Sequence, residues 1–139
     1  MKRALSFGSA VIHPSGHDAE AGSVGIIVEL RAKDCRVQHL GTGRSTWIPL
    51  RDLRPAGDER MAGSIEEVVV RLLSMLGALE AEITRVEPDR LRIAASHRAI
   101  RPETIDAIRA YLGERLTGYL MRPGSMSRIQ TILEIGERR

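Results

Sequence analysis

Apolar and polar positions alternate in two different ways along this chain. Gly25-Ile26-Ile27-Val28-Glu29-Leu30 is β-branched and apolar, Cys35 to Leu40 alternates with a period of two, and Thr46 to Leu50 is a third short run. Polar Arg31-Ala32-Lys33-Asp34 and glycine-rich Gly41-Thr42-Gly43 separate them. This spacing predicts three strands and two turns within residues 22–55. Alternation sends Cys35 and Val37 to the interior and leaves His39 at a rim. Pro49 assigns the third strand to an edge, because proline cannot donate a ladder hydrogen bond. A further strand, Ala4 to Ile12, precedes a Pro/Gly/Asp loop at His13-Pro14-Ser15-Gly16-His17-Asp18.

Residues 56–63 hold glycine and mixed charge without periodicity and read as a linker between an N-terminal domain, 1–55, and a C-terminal one, 64–139. Helical spacing then takes over. Ser64 and Glu67 form an S-x-x-E capping box, in which Glu67 reaches back to the N–H of Ser64. Ile65, Val68, Val69, Leu72, Leu73 and Leu76 make one apolar stripe, and Gly77 stops the helix. Strands at Glu80–Glu87 and Arg90–Ala95 flank a Pro88-Asp89 turn. Pro102 opens a second helix with the stripe Ile105, Ile108, Leu112 and Leu116, and Gly118 ends it. Ser127 to Ile135 closes the chain as a strand, with Ile129, Thr131, Leu133 and Ile135 on one face. The expected class is α+β: an antiparallel β-barrel followed by a small α-β-β-α-β two-layer sandwich.

The segments Gly22-Ser23-Val24-Gly25-Ile26-Ile27-Val28, Val37 and Trp47-Ile48-Pro49-Leu50 with Asp52-Leu53 resemble SH3-like small barrels of the KOW or Tudor-like type. In those, a short helical turn follows the closing strand. Ile83-Thr84-Arg85-Val86-Glu87, Leu91-Arg92-Ile93 and Leu112-Gly113-Glu114-Arg115-Leu116 resemble the α-β-β-α-β sheet of type II KH domains and bacterial ribosome maturation factors. The G-x-x-G loop with which most KH domains clamp nucleic acid is absent. The resemblance implies fold, and an association with RNA only by analogy.

Of the 139 residues, 42% are hydrophobic but only 3% aromatic, so the core is aliphatic and a platform of stacked bases is excluded. Net charge is +3, carried almost wholly by arginine, since Lys2 and Lys33 are the only lysines. Arginine offers the planar, bidentate donors that suit phosphate or carboxylate. Acids are interspersed throughout, so no basic tail is present. One cysteine, Cys35, excludes an internal disulfide. No apolar run is long enough to span a membrane, and a cytoplasmic protein without a cofactor is expected.

Two arginine-bearing loops stand out as phosphate contacts. Gly41-Thr42-Gly43-Arg44-Ser45-Thr46 offers Arg44, Ser45 and backbone N–H groups, but it lacks a P-loop's G-K-[ST] ending. Arg122-Pro123-Gly124-Ser125-Met126-Ser127-Arg128 offers Arg122, Ser125 and Arg128. Trp47 is either an exposed anchor for a partner or a piece of core. His13, His17, Cys35 and His39 are zinc-type residues, yet Cys35 and His39 lie about 13 Å apart along a strand and cannot share an ion unless it bends. His97 reads as a lone loop histidine. No nucleophile–base or paired-carboxylate motif is present, so a non-enzymatic protein is expected. RNA or a ribonucleoprotein is the first partner. A protein–protein adaptor or self-associating module with a peptide-gripping barrel is the second, and an accessory subunit binding a small anion or metal is the third.

Overall fold

The computed structural model describes residues 5–13, 24–57 and 61–137. The chain forms two compact units, residues 1–70 and 71–139. The first contains β1 (Ala10–Ile12), β2 (Val24–Leu30), β3 (Asp34–Gln38), β4 (Ser45–Pro49) and β5 (Arg54–Pro55), with a single 3-10 turn, Leu50–Asp52, between the last two. These strands make one antiparallel sheet in the order β4-β3-β2-β1-β5. Of the expected first strand only Ala10–Ile12 forms among the described residues. The loop through His17, and Gly22-Ser23, lie outside them.

Val11, Ile27, Cys35, Val37, Ile48 and Leu53 form one buried cluster, with Leu5 and Leu50 packed against it. The register explains it, because Val37 lies opposite Ile27 and Cys35 opposite Ile48. Fully burying an aliphatic side chain such as Ile27 contributes about 1.5–3 kcal/mol. Pro49 does sit on an edge strand. The expected closed barrel is not formed: the hydrogen-bonded order ends at β4 on one side and β5 on the other. β5 has two residues, both paired with β1, and does not bridge back to β4.

Helix α1 (Ile65–Leu76) runs across the division between the units. Its start is capped as the sequence requires, with the Glu67 N–H donating to Ser64 Oγ at 3.2 Å. The reciprocal bond falls one residue early. Glu67 Oε1 accepts from the Gly63 N–H, because the Ser64 N–H already donates to Met61 O. At the far end Gly77 adopts φ +62°, the Ala78 N–H returns to Leu73 O and the Gly77 N–H to Ser74 O. That pair of bonds is a Schellman stop. Val68, Val69, Leu72, Leu73 and Leu76 are buried, as their spacing demands.

The second unit continues with β6 (Glu80–Glu87), β7 (Arg90–His97), α2 (Pro102–Leu112), β8 (Leu116–Pro123) and β9 (Ile129–Gly136). Its sheet is antiparallel in the order β6-β7-β9-β8. The layout is therefore α-β-β-α-β-β, one strand more than expected. Leu112 and Leu116 are four residues apart and imitate a continuing helical stripe. Gly113, at φ +55°, ends the helix instead, and Leu116 begins β8. Arg122 and Pro123 consequently belong to a strand rather than a loop.

One face of this sheet is buried through Ala81, Ile83, Leu91, Ile93, Ala95, His97, Thr131, Leu133 and Ile135. Tyr119, opposite Leu133, points to the same face and lies 5.2 Å beneath the Arg109 guanidinium, which sets α2 on that side. Arg71 of α1 stacks over Tyr111 of α2. Among the described residues no helix is long and apolar enough to cross a membrane.

Candidate functional site

Strand register gathers arginines at one end of the C-terminal sheet. Ser96 is opposite both Glu80 and Gln130, and Gln130 is opposite Arg122, so these four residues form one row across the sheet. His97, Ile129 and Pro123 form the next row. Arg98 follows His97 and Arg128 precedes Ile129, so both lie at this end. Three residues further along, Arg101 precedes the first residue of α2. Four arginines thus share the end of the sheet with the acids Glu80 and, in the first turn of α2, Glu103. Among the described residues, the other arginines of the unit's strands and of the turn before β8 are engaged elsewhere. Arg85 pairs with Glu137, Arg92 with Glu134 and Arg90 with Glu87, while Arg115 donates to the carbonyls of Gly136 and Glu137.

The β8–β9 turn lies at this end. Arg128 N–H donates to Ser125 O, and the intervening Met126 and Ser127 have φ of +55° and +62°. Two consecutive positive φ values define a type I′ turn, which ordinarily selects asparagine and glycine. Met126 is left 86% exposed at the tip. Arg122 Nε donates to Gln130 Oε1 at 2.6 Å, and Arg128 stands 4.0 Å from Glu80, the longest ion pair among the described residues. Arg98 and Arg101 are exposed and make no ion pair among the described residues. Sequence reasoning overlooked both, because β7 was ended at Ala95. Extending the alternation Leu91, Ile93, Ala95 by one step to His97 would have placed Arg98 at the strand end.

The other expected contacts lie in the N-terminal unit. Arg44 closes the turn after β3: its carbonyl accepts from the His39 N–H, and its own N–H donates to Thr42 Oγ1. The Gly43 N–H donates to His39 O, so two of the turn's N–H groups are already taken up. Ser45 Oγ accepts from Arg36 Nη1, whose Nε also bonds Glu29. Trp47 belongs to the face opposite the buried cluster, across from Arg36. It is 36% exposed, with the Arg31 guanidinium 3.8 Å from its ring centroid. Trp47 is therefore neither core nor bare: one face of the ring is covered by a cation.

The zinc-type residues do not converge. Cys35 is in the core, His13 is half-buried, His17 lies outside the described residues, and no group of three metal-ligating side chains is assembled among those described. His39 is buried rather than at a rim, and its Nδ1 has no hydrogen-bond partner. His97 is no loop residue. It ends β7, is fully buried, and holds Thr131 Oγ1 at 2.6 Å and Arg98 O at 2.7 Å. A carbonyl can only accept, so Nδ1 carries the proton there and, in the neutral ring, Nε2 accepts from the Thr131 hydroxyl.

Burial, and secondarily the Asp34 carboxylate, push the Cys35 thiol up to about 11. Because the folded-state value is the higher one, the thiol's contribution to stability is intact below the unfolded-state value. It is lost as pH rises toward 11. Urea titrations between neutral and alkaline pH should show stability falling in that window. The fall should be shallower in Cys35→Ala, and identical slopes would show that the thiol does not titrate as described.

No family model, curated protein or solved structure matches the chain.

Proposed function

We propose that the protein is a non-enzymatic module that binds RNA or a ribonucleoprotein, with the arginine end of the C-terminal sheet contacting phosphates. The observation that carries this reading is that strand register brings Arg98, Arg122 and Arg128 to one end of the sheet, with Arg101 three residues further along the chain from Arg98, while Arg85, Arg90 and Arg92 are paired with acids. Arg101 and Arg98 supply exposed guanidinium groups, Arg128 is only loosely held by Glu80, and Arg122 borders the cluster from its bond with Gln130. Ser125 adds a hydroxyl beside them. Guanidinium groups that outnumber the acids beside them favour phosphate through bidentate, charge-assisted bonds. The scarcity of aromatics fits recognition of backbone rather than of stacked bases.

The N-terminal sheet is taken as SH3-like. Its five-strand order and the short helical turn after β4 support this. Arg44, Ser45 and Trp47 would be its contribution to binding. The proposal places the protein in the cytoplasm, where a lone buried thiol such as Cys35 is unremarkable.

Filter binding to mixed single-stranded RNA at several salt concentrations is the test. Affinity should fall steeply with salt, and each phosphate contact should add about 0.7 to the slope of log K against log salt. Replacing Arg98 and Arg128 together by alanine should weaken binding at every sequence and flatten that slope by about two contacts' worth. Absence of retention at low salt would remove the RNA reading altogether.

A further inference from the structure

We propose that the protein forms a two-fold dimer by pairing the free edge of β8 with the same strand of a second copy, with Leu120 at the centre. Among the described residues β8 bonds to β9 alone, and its other edge carries an eight-residue row of backbone groups. Natural edges are usually blunted by charge, proline or a bulge. Here the bulge lies between Leu116 and Gly118 and the proline at position 123, so the middle, Tyr119-Leu120-Met121, is unprotected.

The phase of the hydrogen bonds selects the partner's register. Gly124 N–H bonds Arg128 O, which makes that pair a closely bonded one. Counting back by twos, Arg122/Gln130, Leu120/Ile132 and Gly118/Glu134 bond across to β9. Tyr119 and Met121 therefore turn both their N–H and C=O groups outward, and Pro123, which has no N–H, occupies the next outward position. An antiparallel second copy centred on Leu120 sets Tyr119 against the partner's Met121 and Met121 against the partner's Tyr119. In this register both residues use donor and acceptor together, whereas a two-fold at Met121 would set Tyr119 against Pro123, which cannot donate, and one at Tyr119 would set Met121 against Thr117 in the bulge.

Side chains agree with that register. Leu120 is 50% exposed and ends a row, Ala94–Ile132–Leu120, on the sheet's outer face. Two copies join these rows into one apolar band. Gly118 comes to face the partner's Arg122. The Glu134 side chain lies over Gly118, so near that a Cβ there would stand 3.3–3.6 Å from its carbons. The guanidinium thus arrives beside a carboxylate, and no like charges meet. The opposite edge, β6, carries exposed Glu80 and Glu82 on its outer face, which self-pairing would bring against their own copies. A second copy at β8 is the occupant that this charge pattern favours. The dimer does not use Arg98, Arg101 or Arg128; it shares only Arg122 with the RNA reading, and its sedimentation test does not depend on RNA.

Sedimentation equilibrium of the full chain should show a monomer–dimer equilibrium. Leu120→Lys should weaken the dimer by roughly a hundredfold by setting two cations face to face, with an unchanged far-UV spectrum. Under mild oxidation Leu120→Cys should give a disulfide-linked dimer, since opposed residues at the two-fold lie within bridging distance. Arg122→Cys, facing Gly118, should not. Cys35, buried in the core, leaves the background silent. A strict monomer would overturn the proposal, as would a Leu120→Lys dimer as tight as the parent. Arg122→Cys cross-linking as readily as Leu120→Cys would also overturn it, by rejecting the register.

Discussion

Gly25→Ala is expected to destabilise the N-terminal sheet by about 1–3 kcal/mol, the usual range for an extra carbon forced into a packed core. Gly25 lies in β2, opposite Val11, with backbone angles any residue can adopt, so conformational freedom is not why glycine is needed. Space is. A Cβ at this position would overlap Val37 Cγ1 and stand 3.2 Å from His39 Cε1 and 3.3 Å from Gln38 O. Val37 is almost fully buried in the core cluster and has nowhere to retreat. The missing side chain also lets the His39 ring fold down against β2, which is how that histidine comes to be buried. Urea or thermal unfolding followed by circular dichroism measures the loss. Val37→Ala removes the clashing methyl, so Gly25→Ala/Val37→Ala should lose less stability than the two single variants summed, by about 0.5–3 kcal/mol. Strict additivity would show that the contact is not the cause.

The second large effect is expected at His97 and Thr131, a pair buried completely inside the C-terminal unit. Thr131→Val keeps the volume but removes the hydroxyl that Nε2 bonds, leaving a buried ring nitrogen unpaired. Such a loss costs about 1–3 kcal/mol. His97→Leu leaves both the Thr131 hydroxyl and Arg98 O without that partner, and should cost at least as much. The informative variant is the double one. With both polar partners of the 2.6 Å bond replaced by apolar groups, the penalty for an orphaned partner disappears, so His97→Leu/Thr131→Val should be more stable than additivity allows. Thr131→Ser, which keeps the hydroxyl, should recover much of the loss seen with valine. A Thr131→Val protein as stable as the parent would mean that water or another group satisfies His97.

Local patterns made much of this fold legible. The capping serine of α1, its Gly77 stop, the Pro102 start of α2 and the β6–β7 hairpin all follow from residues within a few positions of one another. The alternation that sends Cys35 and Val37 inward holds for the same reason. Legibility failed where two signals of similar strength overlapped. Leu112 and Leu116 satisfied helical spacing while Gly113 signalled a stop, and without its partner β9 the strand at 116–123 had nothing to declare it. The candidate site was half legible. Arg122, Ser125 and Arg128 were visible as a polar cluster, whereas Arg98 and Arg101, more than 20 residues earlier in the chain, were not.

Sequence alone determined the α+β class, the aliphatic cores, both ends of α1, the start of α2 and the arginine-dominated charge, because each depends on spacing of a few residues or on composition. Only tertiary structure decided that the N-terminal sheet stays open, that His97 meets Thr131, that Gly25 makes room for His39, and that Arg98 and Arg128 adjoin the paired residues His97 and Ile129. Each of those joins positions many residues apart through strand register, and register is settled by the packing of whole faces rather than by any local run of side chains.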